Sequence, residues 1–284
     1  MASTAFQTQY RQEFIAGFEQ NQSLLRDSVT NEAVIKGNTA VFLVADSGSA
    51  TAVTRGVNGM IPARADSLTQ NSATLAEWHD LARKSGFNVF GSQGNQREIM
   101  QKTTMGVVNR KVDTDIITEL DTATTQTSAT ASTASLAMAT HAISILGTNS
   151  VPFDGSIWAL ISPAYLAYLM RTTEFASADY VKRTPLDGDT PQWKDVPGFY
   201  EWLGVKWIVH PNVTGVGTSS EKCYMYHKSA IGHAVDTNGM QSPVGYDEEQ
   251  DYSWARCTCF MGSKMLQQGG VVQMLHDGSA LAAA

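Results

Sequence analysis

The chain has 284 residues, 43% of them hydrophobic, and its 20 Lys plus Arg stand against 27 Asp plus Glu for a net charge of −7. That length suits one large domain or two small ones around a sizeable core, and the apolar fraction argues against wholesale disorder. The acidity argues against a nucleic-acid grip built from clustered Lys and Arg, and no apolar run approaches the roughly 18 residues of a membrane span.

In chain order, the first 28 residues read as an amphipathic helical arm. Phe6, Tyr10, Phe14 and Phe18 recur every fourth residue, with Ile15 beside them and Leu24 and Leu25 beyond, among Gln, Asn, Glu and Arg. The run Asn38 to Ala45 predicts a strand. Asp46 to Asn71 then turns Ser-, Thr-, Gly- and Asn-rich around a turn candidate, Arg55-Gly56-Val57-Asn58-Gly59, which suits a long exposed β-hairpin or a disordered loop. Leu75 to Leu81 reads as a short helix or the hairpin's return. From Gln96, the steps Met105, Val108, Val112, Ile116 and Leu120 predict a helix of about 24 residues. After a Thr/Ser/Ala-rich connector, Asp121 to Ser135, a second helix runs from Leu136 to a stop at Gly147. Past Pro152 the pattern turns α/β. Ile157 to Ile161 is a buried strand, and Ser162-Pro163 opens a helix with Ser as cap and Pro in the first turn. Thr184 to Gly198 reads as loop. Strands follow at Trp202 to His210, Cys223 to His227, Ile231 to Val235, Tyr252 to Cys259 and Val271 to Leu275, and Gly278 to Ala284 as a frayed tail.

The search for chemistry is nearly empty. Gly215 to Lys222 lacks the Gly-Lys-Ser/Thr ending of a phosphate loop, and the Ser219/Lys222 spacing has none of the accompanying motifs of its enzyme class. The three cysteines are too few for a disulfide framework, so free thiols are the default. Cys223, His227, Cys257 and Cys259 are of the types zinc prefers, which leaves a metal-dependent enzyme or zinc-stabilised domain as the different-class alternative to ordinary buried residues. Asp113/Asp115 and Glu248/Glu249 read as solvated pairs. No cofactor is implied. Only 17% of residues are charged, against about 25% in an average domain, and 28 Thr and 24 Ser supply the polarity. Contact surfaces are depleted of Lys, Glu and Asp at their centres, so the composition suits burial against copies of the same chain, or is a trait of the organism. The N-terminus Met1-Ala2-Ser3-Thr4 has no basic-then-apolar signal, so a soluble protein made in a cytoplasm is expected.

Taken together, the arm, the Gly/Thr-rich hairpin, the long helix, the α/β unit and the closing strands resemble the major capsid proteins of tailed double-stranded DNA bacteriophages. The resemblance rests on Thr54-Arg55-Gly56 through Met60-Ile61-Pro62 as the extended E-loop, on Gln96 to Asp121 as the spine helix of the P-domain, and on Phe175 to Val181, Gly198 and Trp202 to His210 in the A-domain. The tract Tyr224 to Ala234 before the chain returns to the P-domain is the most suggestive part. It implies an α+β fold divided into a 1–37 N-terminal arm, a 38–95 strand with E-loop and return, 96–150 P-domain helices, a 151–243 A-domain, 244–277 P-domain return strands and a 278–284 tail.

The resemblance implies a structural role and no enzymatic one: hexamers and pentamers closing into an icosahedral shell around packaged dsDNA that is held without specific binding. It implies a virion protein assembled in the host bacterial cytoplasm, with no membrane contact and with a portal and decoration proteins as further partners. Since no large charged extension precedes the arm, a separate scaffolding protein is expected. Some relatives harden their shells with a Lys–Asn isopeptide bond. Here no Lys lies between Lys36 and Lys84, so a non-covalent shell is expected, with Arg55 and Arg64 pairing with carboxylates of adjacent subunits. Phe6, Tyr10, Phe14 and Phe18 are the other interface candidates. An encapsulin-type compartment shares the implied fold, and a tail or decoration component is a further virion role.

Overall fold

The structure is a computed structural model that describes residues 22–34, 37–47, 50–64, 67–91, 95–173, 181–182 and 199–279. Its long helix α2 (Gln96–Leu120, 25 residues) starts at Asn95, whose side chain accepts from the Glu98 backbone N–H. Met100, Thr104, Val108, Val112 and Ile116 are buried along one face. Met105, expected on that stripe, is 38% exposed, because the buried row runs in fours from Met100 rather than through it.

Two sheets flank this spine. In one, β12 (Tyr252–Met265) is central: β10 (Ile231–Asp236) pairs with its C-terminal half, β11 (Val244–Asp247) with its N-terminal half, and β4 (Ala76–Ser85) with the edge opposite β11. β12 outruns its expected end at Cys259 by passing through Gly262, where an added Cβ would lie 2.2 Å from the Thr74 carbonyl oxygen. The 75–81 stretch is the hairpin's return, not a helix, and it forms most of β4. Its Trp78, Asp80, Ala82 and Lys84 alternate inward with period two.

The second sheet orders β13 (Val271–His276), β9 (Glu221–His227), β5 (Ile157–Ile161), β8 (Val205–Val209), β7 (Phe199–Trp202) and β6 (Val181–Lys182), with β5 and β8 parallel. It is buried on both faces. Trp158, Leu160, Ile208, Tyr224 and Tyr226 enter the core shared with α2, while Ile157, Ala159, Trp207, Cys223 and Met225 face α3 (Leu136–Thr148) and α4 (Pro163–Leu169). Ser162 caps α4 as expected, accepting from the Tyr165 N–H at 3.1 Å. The run Trp202 to His210 divides into β7 and β8 at Leu203-Gly204, both at positive φ. α3 does not stop at Gly147. It ends one residue later, with Ser150 at φ +60 and Val151 N–H donating to the Leu146 carbonyl at 3.1 Å, a Schellman closure with Ser where Gly is usual.

Residues 22–34 belong to the body. They form a short turn and β1 (Thr30–Val34), parallel to β10, with Leu25 and Val29 fully buried.

Candidate assembly surfaces

β2 (Thr39–Asp46) pairs with β3 (Ser67–Thr74), as alternating β-branched, apolar and small residues allow, and the chain between them projects outward. Its tip turns where the sequence predicts: Gly56 N–H donates to Met60 O at 3.0 Å, Gly59 N–H to Gly56 O at 2.8 Å, and Gly59 sits at φ +71. Every described residue from 50 to 64 is exposed. Arg55 Nη1 donates to the Gly59 carbonyl at 3.4 Å, while Arg64 lies on the returning limb.

The hairpin's foot is two-faced. Phe42 packs inward over Gly232, where a Cβ would come within 2.8 Å of its ring, and joins Ala40, Ala73, Val34 and Ala234. The opposite stem face carries Val41, Leu43 and Leu68 at 52%, 65% and 66% exposure. A solvated sheet face is ordinarily polar. Contiguous apolar surface of this kind marks a contact.

A second feature escapes the sequence reading. Asp113, expected to be solvated, is fully buried, and its carboxylate accepts from Ser23 Oγ (2.5 Å), Leu24 N (3.1 Å) and Leu25 N (3.2 Å). It also accepts from His210 Nε2 at 3.1 Å, the tautomer fixed by Asn212 N–H donating to His210 Nδ1. Ser28 Oγ and the Tyr226 hydroxyl lie 2.6 Å apart, and burial raises the Tyr226 pKa, so the phenol stays neutral. This latch ties the root of the N-terminal segment to spine and sheet at once. Its signal in the sequence is spacing: Asp113, Ile117 and Leu120 share an arc beside the Val112–Ile116 stripe. Phe6, Tyr10, Phe14 and Phe18 lie outside the described residues, as does most of Phe175 to Gly198.

The proposed zinc ligands are not brought together. Cys223 lies in the core under α3 and α4, while Cys257 and Cys259 lie on β12 in the core shared with α2. His227 instead bonds Asp154 Oδ1 at 3.2 Å and Ser229 Oγ at 2.8 Å. Among the described residues no group of three His, Cys, Asp or Glu side chains is placed to hold a metal. Burial pushes the Cys223 thiol up to about 12 and Cys257 up to about 11, the reverse of an activated thiolate. The Gly215 to Lys222 stretch is likewise structural: Gly217 N–H donates to the buried Glu221 Oε1 at 2.6 Å.

An outward finger with apolar flanks, a latched terminal segment and a reactive centre nowhere among the described residues define a subunit built to be assembled. The chain belongs to the phage capsid protein family, whose model matches residues 2–278. It is therefore a structural, non-enzymatic component of the virion, a shell-forming major capsid protein. Solved structures share the fold at low identity. The capsid of Ralstonia phage GP4 aligns over 100% of both chains (TM-score 0.74, 11% identity). A chain of Mycobacterium phage Che8 covers 96% of this chain and 98% of its own (TM-score 0.69, 17% identity). A capsid chain of a native GTA particle covers 96% and 95% (TM-score 0.70, 9% identity). No curated protein sequence matches the chain.

Proposed function

We propose that this subunit assembles as hexamers and pentamers into a closed icosahedral shell around packaged dsDNA, in the cytoplasm of a bacterial host. The observation that carries this reading is the hairpin, whose residues 50–64 are all exposed with Val53, Val57, Met60 and Ile61 among them. Such a segment gains stability only by lying across another copy. A standard contact buries about 1,600 Å², and a finger plus a terminal segment extends each subunit's contacts beyond one such patch. Arg55 and Arg64 meet carboxylates of neighbours, and the stripe Phe6, Tyr10, Phe14 and Phe18 packs on another subunit. A net charge of −7 suits a wall that encloses DNA without gripping its phosphates. A separate scaffolding protein directs assembly, a portal occupies one vertex, and decoration proteins bind outside.

Electron microscopy of the purified chain tests this. Closed shells tens of nanometres across, holding DNA when recovered from infected cells, are expected. A monodisperse 30.7 kDa monomer at high concentration overturns it.

A further inference from the structure

The subunit's own surface specifies where the finger lands. The loop between Asp46 and Asp66 carries two charges, Arg55 and Arg64, both positive. Its Val53, Val57, Met60 and Ile61 are 61%, 106%, 75% and 67% exposed. A receiving surface must therefore offer apolar area beside carboxylates.

The foot of the hairpin offers both. A groove of about 290 Å³ lies there between β3 and α2, lined by Ser72, Thr74, Trp78, Asp115, Glu119 and Lys264 among others. Ser72 stands on the outward stem face, opposite Val41 in register, so the groove opens onto the exposed Val41, Leu43 and Leu68. Its other wall carries Asp115 and Glu119, one helical turn apart on α2. Each takes its bond from β12 through one oxygen: Ser263 Oγ donates to Asp115 Oδ2 at 2.7 Å, and Met265 N–H to Glu119 Oε2 at 3.1 Å. Lys264 stands 4.0 Å from that same Glu119 oxygen, and Lys111 is held over the Trp78 ring at 3.8 Å. Asp115 Oδ1 and Glu119 Oε1 are left to receive a guanidinium.

We infer that the hairpin tip of one copy seats in this groove of a second copy, its apolar residues against Val41, Leu43 and Leu68 and Arg55 against Asp115 and Glu119. The limbs beyond Asp46 and Ser67 run about ten residues each, a reach of roughly 30 Å at strand rise, so the tip stands well clear of its own foot. The giving and receiving surfaces differ, so the contact is head-to-tail and repeats from copy to copy until a ring closes. It also accounts for an apolar stem face that solvent alone does not explain.

This inference rests on the shell reading, and the test separates the two. The native cysteines are buried, so a Met60→Cys, Ser72→Cys double variant reports the tip–groove contact by disulfide formation under mild oxidation. Assembled particles of the double variant should give a ladder of multimers on non-reducing denaturing gels. Each single variant, and a Met60→Cys, Ser219→Cys control with its second thiol on an exposed loop of the other sheet, should run as monomer. Shells without a ladder overturn the contact and leave the shell reading standing, whereas failure of the unmodified chain to form shells overturns that reading. If the double variant does not assemble, charge reversal decides. Arg55→Glu should lower shell yield about tenfold or more, and adding Glu119→Arg should recover most of it; no recovery overturns the inference.

Discussion

Leu203 and Gly204 stand at φ +55 and +71 between the paired residues Trp202 and Val205, a two-residue loop of type I′. Asn-Gly is the pair such a turn favours, and a Leu in its place hides the turn from a reading by pattern. Ser150 at φ +60 hides the end of α3 in the same way. A left-handed conformation disfavours an L side chain by roughly 1–2 kcal/mol. Leu203→Asn and Ser150→Gly should therefore each raise subunit stability by about 1 kcal/mol, read by urea denaturation of unassembled protein; unchanged midpoints would contradict the assignment. A pH effect arises at His233. Its Nδ1 faces Ser263 Oγ at 3.0 Å, and Ser263 gives its own proton to Asp115, so the neutral ring carries its hydrogen on Nδ1 while the buried Nε2 lacks a partner. Burial lowers its pKa from 6.5 to about 4, with Asp115 and Asp113 opposing and Arg26 reinforcing. The unfolded chain thus binds the extra proton first, and stability is lost as pH falls from about 6.5 toward 4, by up to about 3 kcal/mol. Burial lowers His276 too, with the same sign. The thermal midpoint should drop across that window, and less steeply in His233→Gln; equal slopes would remove His233 from the account.

Among elements, those with a strong period were the most legible. α2 and the strands β5 and β9 follow from continuous apolar spacing, and the hairpin turn follows from its glycines. β1 and β11 were not, because Thr-Asn-Glu-Ala-Val and Val-Gly-Tyr-Asp become strands only by pairing with β10 and β12. The latch was hidden for a related reason. An Asp in a helix reads as solvated until the chain 90 residues upstream is known to lay Ser23 and two backbone N–H groups on it. Removing the carboxylate strands those donors and His210 in a buried place, a loss of roughly 3–5 kcal/mol. Asp113→Ala should free the segment before β1, so that trypsin cuts after Arg26 much faster than in the unmodified subunit while the spine and sheets persist. Equal cleavage rates would mean that Leu25 and Val29 hold the segment by packing alone.

At the scale of the whole molecule, the order of elements carried more information than any motif, because a shell protein needs surfaces rather than a reactive centre. What sequence could not place was which face of the hairpin stem meets solvent, since Phe42 and Leu43 are both large and apolar, and only Gly232 beneath Phe42 settles that one is 8% and the other 65% exposed. The same finger decides how the shell is held. Between Lys36 and Lys84 there is no amine to condense with a neighbour's carboxamide, so the contacts there are apolar packing and the two guanidinium groups. Non-covalent contacts of that kind are numerous but each is reversible, and a detergent that solvates apolar surface and unfolds the subunit removes all of them. Assembled shells boiled in dodecyl sulfate should therefore run as a single 30.7 kDa band without reducing agent, because the three thiols are buried and unpaired. A ladder of multimers from the unmodified chain would instead require a covalent link that no residue of this finger can supply, and the account of how the subunits hold together would have to move to another part of the chain.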